Sequence, residues 1–252
     1  MFFSPLEQFQ ILPVLALPLG PVDFTITNAT LMGFVIVLLI AALLYLMRDA
    51  KTQSFYFIPN RWQVIFEVFY KALVTMVTDN VGPRGQEFFP FVFTLFLFVV
   101  SSNLIGLVPY SYTITSHLIV TLTIAMIVFV GVNIVCAREH GWHMFSLFLP
   151  SGASLALAFL FVPLELVSYI FKPISLAIRL FANMMAGHTL LKVIAGFAWS
   201  MMACSGVLFL AHYIPLLILL PLFGLELGVA LIQAYVFTIL TCIYLNDAVN
   251  LH

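Results

Sequence analysis

Fifty consecutive residues, from Phe88 to Ala137, contain no aspartate, glutamate, lysine or arginine. A membrane-spanning helix needs about 20 predominantly apolar residues, so this run is too long for one span and suits two. The polar stretch at residues 108–117, which includes Pro109, predicts the break between them. We therefore expect a helical hairpin with spans at about 88–108 and 117–137.

The composition of the whole chain agrees with a membrane protein. Hydrophobic residues make up 63% of it, whereas a soluble domain has about 45–50%. The formal net charge of −1 argues against nucleic-acid binding. The three cysteines lie in apolar runs without paired spacing, and we interpret them as small core residues. The N-terminus lacks the pattern of a secretory signal, so we expect it to be either mature or never cleaved.

The first part of the chain divides into an arm and a span. Residues 1–28 contain several prolines and predict an irregular N-terminal arm, followed by a single membrane domain at 29–252. No charged residue occurs between Asp23 and Arg48, which leaves room for a first span at about 29–47. Asn28 or Thr30 is expected to cap that helix.

Residues 61–80 predict a helix of another kind. Their apolar side chains recur every three or four positions between charged ones, which is typical of an amphipathic helix lying in the membrane interface. The surrounding stretch is the most basic of the chain, so we expect it to face the matrix or cytoplasmic side.

The last hundred residues predict two long apolar helices, at about 153–198 and 206–246. Each exceeds the length of a perpendicular span, so both are expected to tilt strongly or to kink, the first at Pro163 and Pro173. The fold class is therefore an all-α integral membrane protein. It has five membrane-crossing helices and one interfacial amphipathic helix, and the last two crossing helices form a hairpin.

Ionisable residues are rare in this chain, yet the terminal hairpin contains several of them. Glu165, Arg179 and Asn183 fall on one helical stripe, because the 14 residues between the first two are close to four turns. On the second helix, Glu226 and Gln233 share one face, and Glu226 lies in a Gly-Leu-Glu-Leu-Gly run that predicts close helix packing. An arginine at the bilayer centre costs about 2.5–3.5 kcal/mol, so charges retained there are functional by default.

These residues stand in recognisable motifs. The run RLFANMMAGH (179–188), preceded by KPISLAI and followed by Glu226 and Gln233, closely resembles subunit a of rotary ATP synthases. The turn NLIGLVPYSYTITSH and the order of spans extend the resemblance over the whole chain, and SPLEQF near the start resembles the plant and algal mitochondrial form. The resemblance implies a proton-conducting stator subunit that couples proton flow to rotation of a c-ring and to ATP synthesis, without binding nucleotide itself.

The family also implies roles for individual residues. Arg179 would be the essential charge facing the c-ring. Four residues would line the half-channel open to the intermembrane side: Asn183, His188, Glu226 and Gln233. Three would belong nearer the matrix-side path: Glu165, Ser168 and Ser175. Bacterial relatives often have Glu at the position of His188 and His at that of Glu226, so the swapped arrangement indicates mitochondria or related bacteria.

The resemblance further predicts the environment of the chain. Expected partners are the c-ring, the peripheral stalk, other Fo subunits and membrane lipids, in the mitochondrial inner membrane, with no nucleic acid or nucleotide. We expect no cofactor beyond the transported protons, although bound lipid is expected. His188 is a candidate metal ligand, but Lys192 stands where some relatives have a second histidine, so a His–His site is not predicted.

Elementary electrostatics supports a role for Arg179 without the family. A fixed cation about 4 Å from a passing carboxylate, at an effective dielectric of 20, stabilises its ionised form by about 4 kcal/mol, or about three pKa units. The carboxylate would therefore release its proton on approaching the arginine. Arginine is suited to this role because it does not lose its own proton.

Two other classes of function remain open from the residues alone. A stand-alone secondary transporter would hold an anionic substrate on Arg179 and would accumulate it in liposomes. A structural subunit of a respiratory complex would retain proton pumping when Arg179 is replaced by alanine. The individual side chains also have structural readings, as ion pairs, as packing residues or, for Lys172 and Lys192, as snorkelling cations.

Overall fold

The structure is a computed structural model, and it describes most of the chain. The described residues are 6–16, 18–19, 22–23, 25–47, 61–108, 111–141, 155–203 and 207–249. Seven α-helices dominate them: α1 (Asn28–Met47), α2 (Arg61–Val81), α3 (Phe89–Gly106), α4 (Leu118–His140), α5 (Leu155–Met202), α6 (Val207–Ala211) and α7 (Tyr213–Val249).

Within the described residues, five helices are long and apolar enough to cross a membrane. They are α1, α3, α4, α5 and α7, so the predicted all-α class with five spans is confirmed. The predicted break between the third and fourth helices is also correct, because a short 3₁₀ helix at Ile114–Ser116 separates them.

The N-terminal arm contains more regular structure than the sequence predicts. Strand β1 (Pro13–Leu15) pairs with β4 (Ile26–Thr27), and β2 (Pro18–Leu19) pairs with β3 (Val22–Asp23), both antiparallel. Proline has a fixed φ that an edge strand accepts, so the prolines that suggested irregular structure are compatible with these short pairs.

The start of α1 is fixed by a reciprocal pair of threonines. The Thr27 hydroxyl accepts a hydrogen bond from the Thr30 amide at 3.4 Å, and the Thr30 hydroxyl accepts one from the Thr27 amide at 2.9 Å. Thr27 therefore holds the cap position that the sequence assigned to Asn28 or Thr30. Asn28 instead anchors the arm, because its side chain bonds the backbone of Leu12 and of Gln10.

The contacts divide the chain into two compact units. The first comprises Met1–Leu44, Leu97–His117 and Leu180–Ala234, and the second comprises Tyr45–Phe96, Leu118–Arg179 and Tyr235–His252. The single membrane domain predicted at 29–252 stays a prediction.

In the second unit, α2 packs on the first half of α3 through aromatic rings. The ring of Tyr70 lies 4.9 Å from that of Phe89 and 5.9 Å from that of Phe93. Leu73, Met76 and other apolar residues of the C-terminal half of α2 are buried, whereas the charged side chains of Glu67 and Lys71 are exposed. The helix is thus amphipathic as predicted, although Phe69 of the apolar stripe is 44% exposed, and its interfacial position stays a prediction.

The second long helix of the sequence prediction is interrupted near Pro215, which the sequence analysis did not predict. We expected a second long helix from about residue 206, but α6 ends at Ala211 and α7 begins at Tyr213. Proline has no amide hydrogen, so Pro215 cannot donate to the carbonyl of Ala211 four residues earlier. The first backbone hydrogen bond of α7 therefore runs from the Leu216 amide to the His212 carbonyl, at 3.4 Å.

Between α3 and α4, the Tyr112 hydroxyl is hydrogen-bonded to Nε2 of His117, and the two rings stack with their centroids 5.3 Å apart. Burial lowers the pKa of His117 from 6.5 and raises the pKa of Tyr112 from 10.0. At mildly acidic pH, His117 therefore binds fewer protons in the folded chain than in the unfolded chain.

The buried His117 in this turn predicts that the folded protein loses stability in acid. Because the folded-state pKa of His117 is lowered, its contribution destabilises the fold as the pH falls through 6.5 towards that lowered value. We expect His117→Gln to reduce the loss of melting temperature between pH 8 and pH 5, measured on the solubilised protein. His212→Gln, at a half-buried histidine that directly precedes α7, is the control. Equal pH dependence in wild type and His117→Gln would contradict the prediction.

Candidate functional site

Two polar contacts join α5 and α7 in the first unit. The Asn183 side-chain amide donates to Oε1 of Gln233 at 2.9 Å. Nδ1 of His188 lies 3.4 Å from Oε1 of Glu226. As the residue number rises on α5, that of the partner falls on α7, so the helices run antiparallel. The predicted hairpin is confirmed, and four of the predicted site residues meet in it as two pairs.

The packed face of α7 explains how these pairs form. Glu226, Ala230, Gln233 and Ala234 are all buried, and they recur at helical spacing along one side. The two alanines are fully buried, and such small residues allow neighbouring helices to approach closely. The polar side chains between them are thereby directed at α5.

Gly187 of α5, which the sequence analysis did not single out, lies very close to the side chain of Glu226 on α7. A Cβ atom added to Gly187 would lie 2.7 Å from Oε1 of Glu226 and 3.0 Å from its carboxyl carbon. At Gly224 and Gly228, which the sequence predicted as the approach point, an added Cβ meets nothing within 4 Å in this chain. Gly187 therefore provides the space that the Glu226 side chain occupies.

Glu226 is a buried residue. The residue is 5% exposed, and neither carboxyl oxygen has a hydrogen-bond partner among the described residues. An ionised carboxylate in such a place costs free energy unless a cation or proton accompanies it. The imidazole of His188 is positioned to share a proton with it.

A third side chain joins this pair from the turn between α3 and α4. The Thr113 hydroxyl oxygen lies 3.2 Å from Nε2 of His188 and 3.3 Å from the carbonyl oxygen of Gly106. Thr113 is 5% exposed. Sequence reasoning missed it, and the signal available was only the run of polar residues in that turn.

Two cavities in the first unit border the histidine–glutamate pair. The larger, about 760 Å³, is lined by Thr113, His188 and Lys192, by Gln8 and Phe9 of the arm, and by aliphatic side chains of α7. The smaller, about 250 Å³, is lined by Asn183, Gly187 and Glu226 among others. His188 thus borders one cavity and Glu226 the other, so a proton passing between them would move from cavity to cavity.

Asn103 adds a polar contact near the smaller cavity. Its side-chain amide donates to the carbonyl of Ala230 at 3.2 Å, between Glu226 and Gln233 on α7. Its oxygen Oδ1 and Nε2 of Gln233 are both buried without a hydrogen-bond partner in the described part of the chain. Asn103 thus offers an acceptor beside Ala230, one turn from Glu226 on α7. Gln233 offers a donor about one turn further along the same helix.

The remaining predicted residues lie on α5 in the second unit. Arg179 is exposed, while Leu176, Ala177 and Leu180 beside it are buried, so its side chain lies on the outward face of the helix. Of the other three predicted residues, Glu165 is half-buried, and Ser168 and Ser175 are exposed. The Ser175 hydroxyl donates a hydrogen bond to the Lys172 carbonyl at 3.0 Å. Their roles stay predictions.

Metal binding at His188 was left open by the sequence. Among the residues that the structure describes, no group of three or more histidine, cysteine, aspartate or glutamate side chains is placed to hold a metal ion.

Known proteins resemble this chain over its full length. Residues 30–246 match the family described as ATP synthase A chain. The chain is 58% identical over 252 residues to ATP synthase subunit a of Pylaiella littoralis, with 100% of both chains covered. It is 48% identical over 252 residues to that of Chondrus crispus, with 99% of this chain and 97% of the relative covered. The subunit a of Paramagnetospirillum magneticum is 44% identical over 252 residues, with 99% of both chains covered.

Proposed function

The chain belongs to the family of ATP synthase subunit a, and on that premise we propose that His188 and Glu226 relay protons through one of two offset half-channels. Membership and the apolar helices make the chain a multi-pass membrane protein and a proton-translocating subunit of the Fo sector, associated with the c-ring and other Fo subunits.

The pairing of His188 with Glu226 between two cavities is the observation that supports the relay most strongly. Histidine exchanges protons near neutral pH, and its two ring nitrogens can receive a proton on one side and release it on the other. A buried carboxyl group beside it can accept that proton without becoming a permanent buried anion. The proton would then continue through the smaller cavity past Asn183 and Gln233.

Arg179 is proposed as the fixed charge that separates the two half-channels. Its exposed position on α5 leaves the guanidinium free to meet a carboxylate of the c-ring. An ionised partner at about 4 Å would be favoured by about 4 kcal/mol, so a ring carboxylate would release its proton before passing. It would be reprotonated from the other half-channel, for which we propose Glu165, Ser168 and Ser175 on the matrix side.

The compartment follows from the same proposal. The half-channel of His188 would open to the intermembrane space, and the protein would lie in the mitochondrial inner membrane. The family resemblance associates histidine on α5 and glutamate on α7 with mitochondria or related bacteria, which is compatible with this compartment. Peripheral-stalk subunits and membrane lipids are proposed as further partners, and nucleotide binding is assigned to other subunits.

Glu226→Gln tests the relay. The amide keeps the size of the side chain but cannot take up and release a proton, so we expect ATP-driven proton pumping by reconstituted complexes to fall at least about tenfold. Pumping is measured by quenching of a pH-sensitive dye in liposomes, with the amount of assembled complex held equal. Glu67→Gln, the same change at an exposed carboxylate paired with Lys71 on α2, is the matched control and should pump normally. Wild-type pumping by Glu226→Gln would remove the relay.

A further inference from the structure

We propose that Thr113 is a positioning residue that favours the neutral tautomer of His188 with hydrogen on Nε2, so that Nδ1 is ready to receive a proton from Glu226. This inference rests on the proposed relay and adds a residue to it from outside the two long helices. It follows from the number of protons that the three groups can share.

The Thr113 hydroxyl group has one proton to donate. Its oxygen lies 3.3 Å from the Gly106 carbonyl, which can only accept, and 3.2 Å from Nε2 of His188. Gly106 is the last residue of α3, so its carbonyl lies beyond the intrahelical hydrogen-bond ladder and needs a donor from elsewhere. With the hydroxyl proton given to Gly106, the oxygen can only accept from His188, so Nε2 must bear hydrogen.

A protonated Nε2 determines what happens at the other ring nitrogen. Nδ1 lies 3.4 Å from Oε1 of Glu226. In the neutral ring Nδ1 is then unprotonated and can receive the proton of a neutral Glu226. In the charged ring Nδ1 bears the proton and faces a carboxylate. One proton is shared between the two groups in both cases, which is the condition for a reversible transfer.

Without Thr113 the ring would be free to adopt the other neutral tautomer. Nδ1 would then present its hydrogen to a protonated Glu226, and neither group could accept. The protein would have to rotate or deprotonate the ring before transfer. Anchoring by Thr113 favours the return of the ring to the accepting tautomer after a proton has left from Nε2.

The packing around Thr113 holds its hydroxyl group in place. A Cβ atom on Gly106 would lie 2.6 Å from Cγ2 of Thr113, so the end of α3 and the turn are in close contact. Among the described residues around the ring, the ionisable ones are Glu226 on α7 and Lys192 on α5. The residues that the arm and the end of α3 contribute to the larger cavity are Gln8, Phe9, Gly106 and Leu107, which are uncharged.

Thr113→Val tests the inference, because valine keeps the shape and removes the hydroxyl group. We expect ATP-driven proton pumping to fall about fivefold, as for the loss of one ordinary hydrogen bond. We also expect the pH at which pumping is half-maximal to fall by about 0.5–1 unit, since the protonated ring loses its acceptor. Thr113→Ser should restore both rate and pH profile.

Thr189→Val is the matched control. Its hydroxyl donates to the Met185 carbonyl within α5 at 2.7 Å and lies one residue from His188, so it reports the effect of losing a nearby hydroxyl group. A Thr113→Val protein with the rate and pH profile of Thr189→Val would overturn the inference. So would a Thr113→Ser protein that behaves like Thr113→Val.

A second pair keeps the test decisive if valine prevents assembly. Serine and alanine at position 113 are both smaller than threonine, and they differ only in the hydroxyl group. Equal pumping and equal pH profiles for Thr113→Ser and Thr113→Ala would overturn the inference. Failure of the proposed relay is distinguishable, because it would appear as normal pumping by Glu226→Gln.

Discussion

Replacement of Arg179 by alanine is expected to abolish ATP-driven proton pumping. The guanidinium is worth about 4 kcal/mol to an ionised carboxylate at about 4 Å, which is about a thousandfold in its protonation equilibrium. Without it, a ring carboxylate would pass between the half-channels still protonated. We therefore expect passive proton leak to rise as coupled pumping is lost, both measured in the same liposomes.

The variants at position 179 separate fixed charge from side-chain size. Arg179→Gln should behave like the alanine variant, whereas Arg179→Lys should retain partial coupling because lysine is charged but can lose its proton. Ile178→Ala truncates an exposed apolar side chain at the adjacent position and is the control. Normal pumping by Arg179→Ala would favour a structural subunit, and uptake of an anion by the subunit alone would favour a transporter.

Gly187→Ala is expected to cause the second large loss. The added Cβ would lie 2.7 Å from Oε1 of Glu226, below any normal contact. Because that atom is the end of a flexible side chain, the carboxyl group should move away while the fold remains. Displacement of a reacting group by about 1 Å can cost about a hundredfold, so we expect pumping to fall at least about tenfold.

A double-mutant cycle checks the cause of that loss. Glu226→Asp withdraws the carboxyl group by one methylene, so it should reduce pumping alone but should also remove the clash with Ala at 187. Gly187→Ala combined with Glu226→Asp is then expected to pump no worse than Glu226→Asp. Gly196→Ala on the same helix, where an added Cβ meets nothing within 4 Å, is the control. Strictly additive losses would contradict the steric explanation.

The spans of this protein are predictable because charge is excluded from them. The charge-free run from Phe88 to Ala137 predicted α3, α4 and the break between them within a few residues. The interruption between α6 and α7 was not predicted, because a proline in a first helical turn is tolerated, and Pro215 alone does not tell whether the helix begins before it. The pairing of β1 with β4 was missed because the two strands are separated along the chain, and β2 and β3 were missed because each is only two residues long.

The candidate site was predictable along each helix but not between them. Helical spacing placed Glu226 and Gln233 on one face, and the motifs identified His188 and Asn183. The register of α5 against α7 is a tertiary property, so periodicity could not show which residues form pairs. Thr113 contacts His188 across 75 positions of sequence, and no local pattern indicates such a contact.

The outward position of Arg179 has a consequence for assembly. If Arg179 faces the ring as proposed, in a copy of the subunit that has not met its ring this guanidinium would face lipid, at a cost of about 2.5–3.5 kcal/mol on insertion scales. Binding to the ring would relieve that cost, so we expect solitary copies to be the less stable form and the more readily removed by membrane proteases. The same charge that controls proton release would then also help to keep subunit numbers in balance.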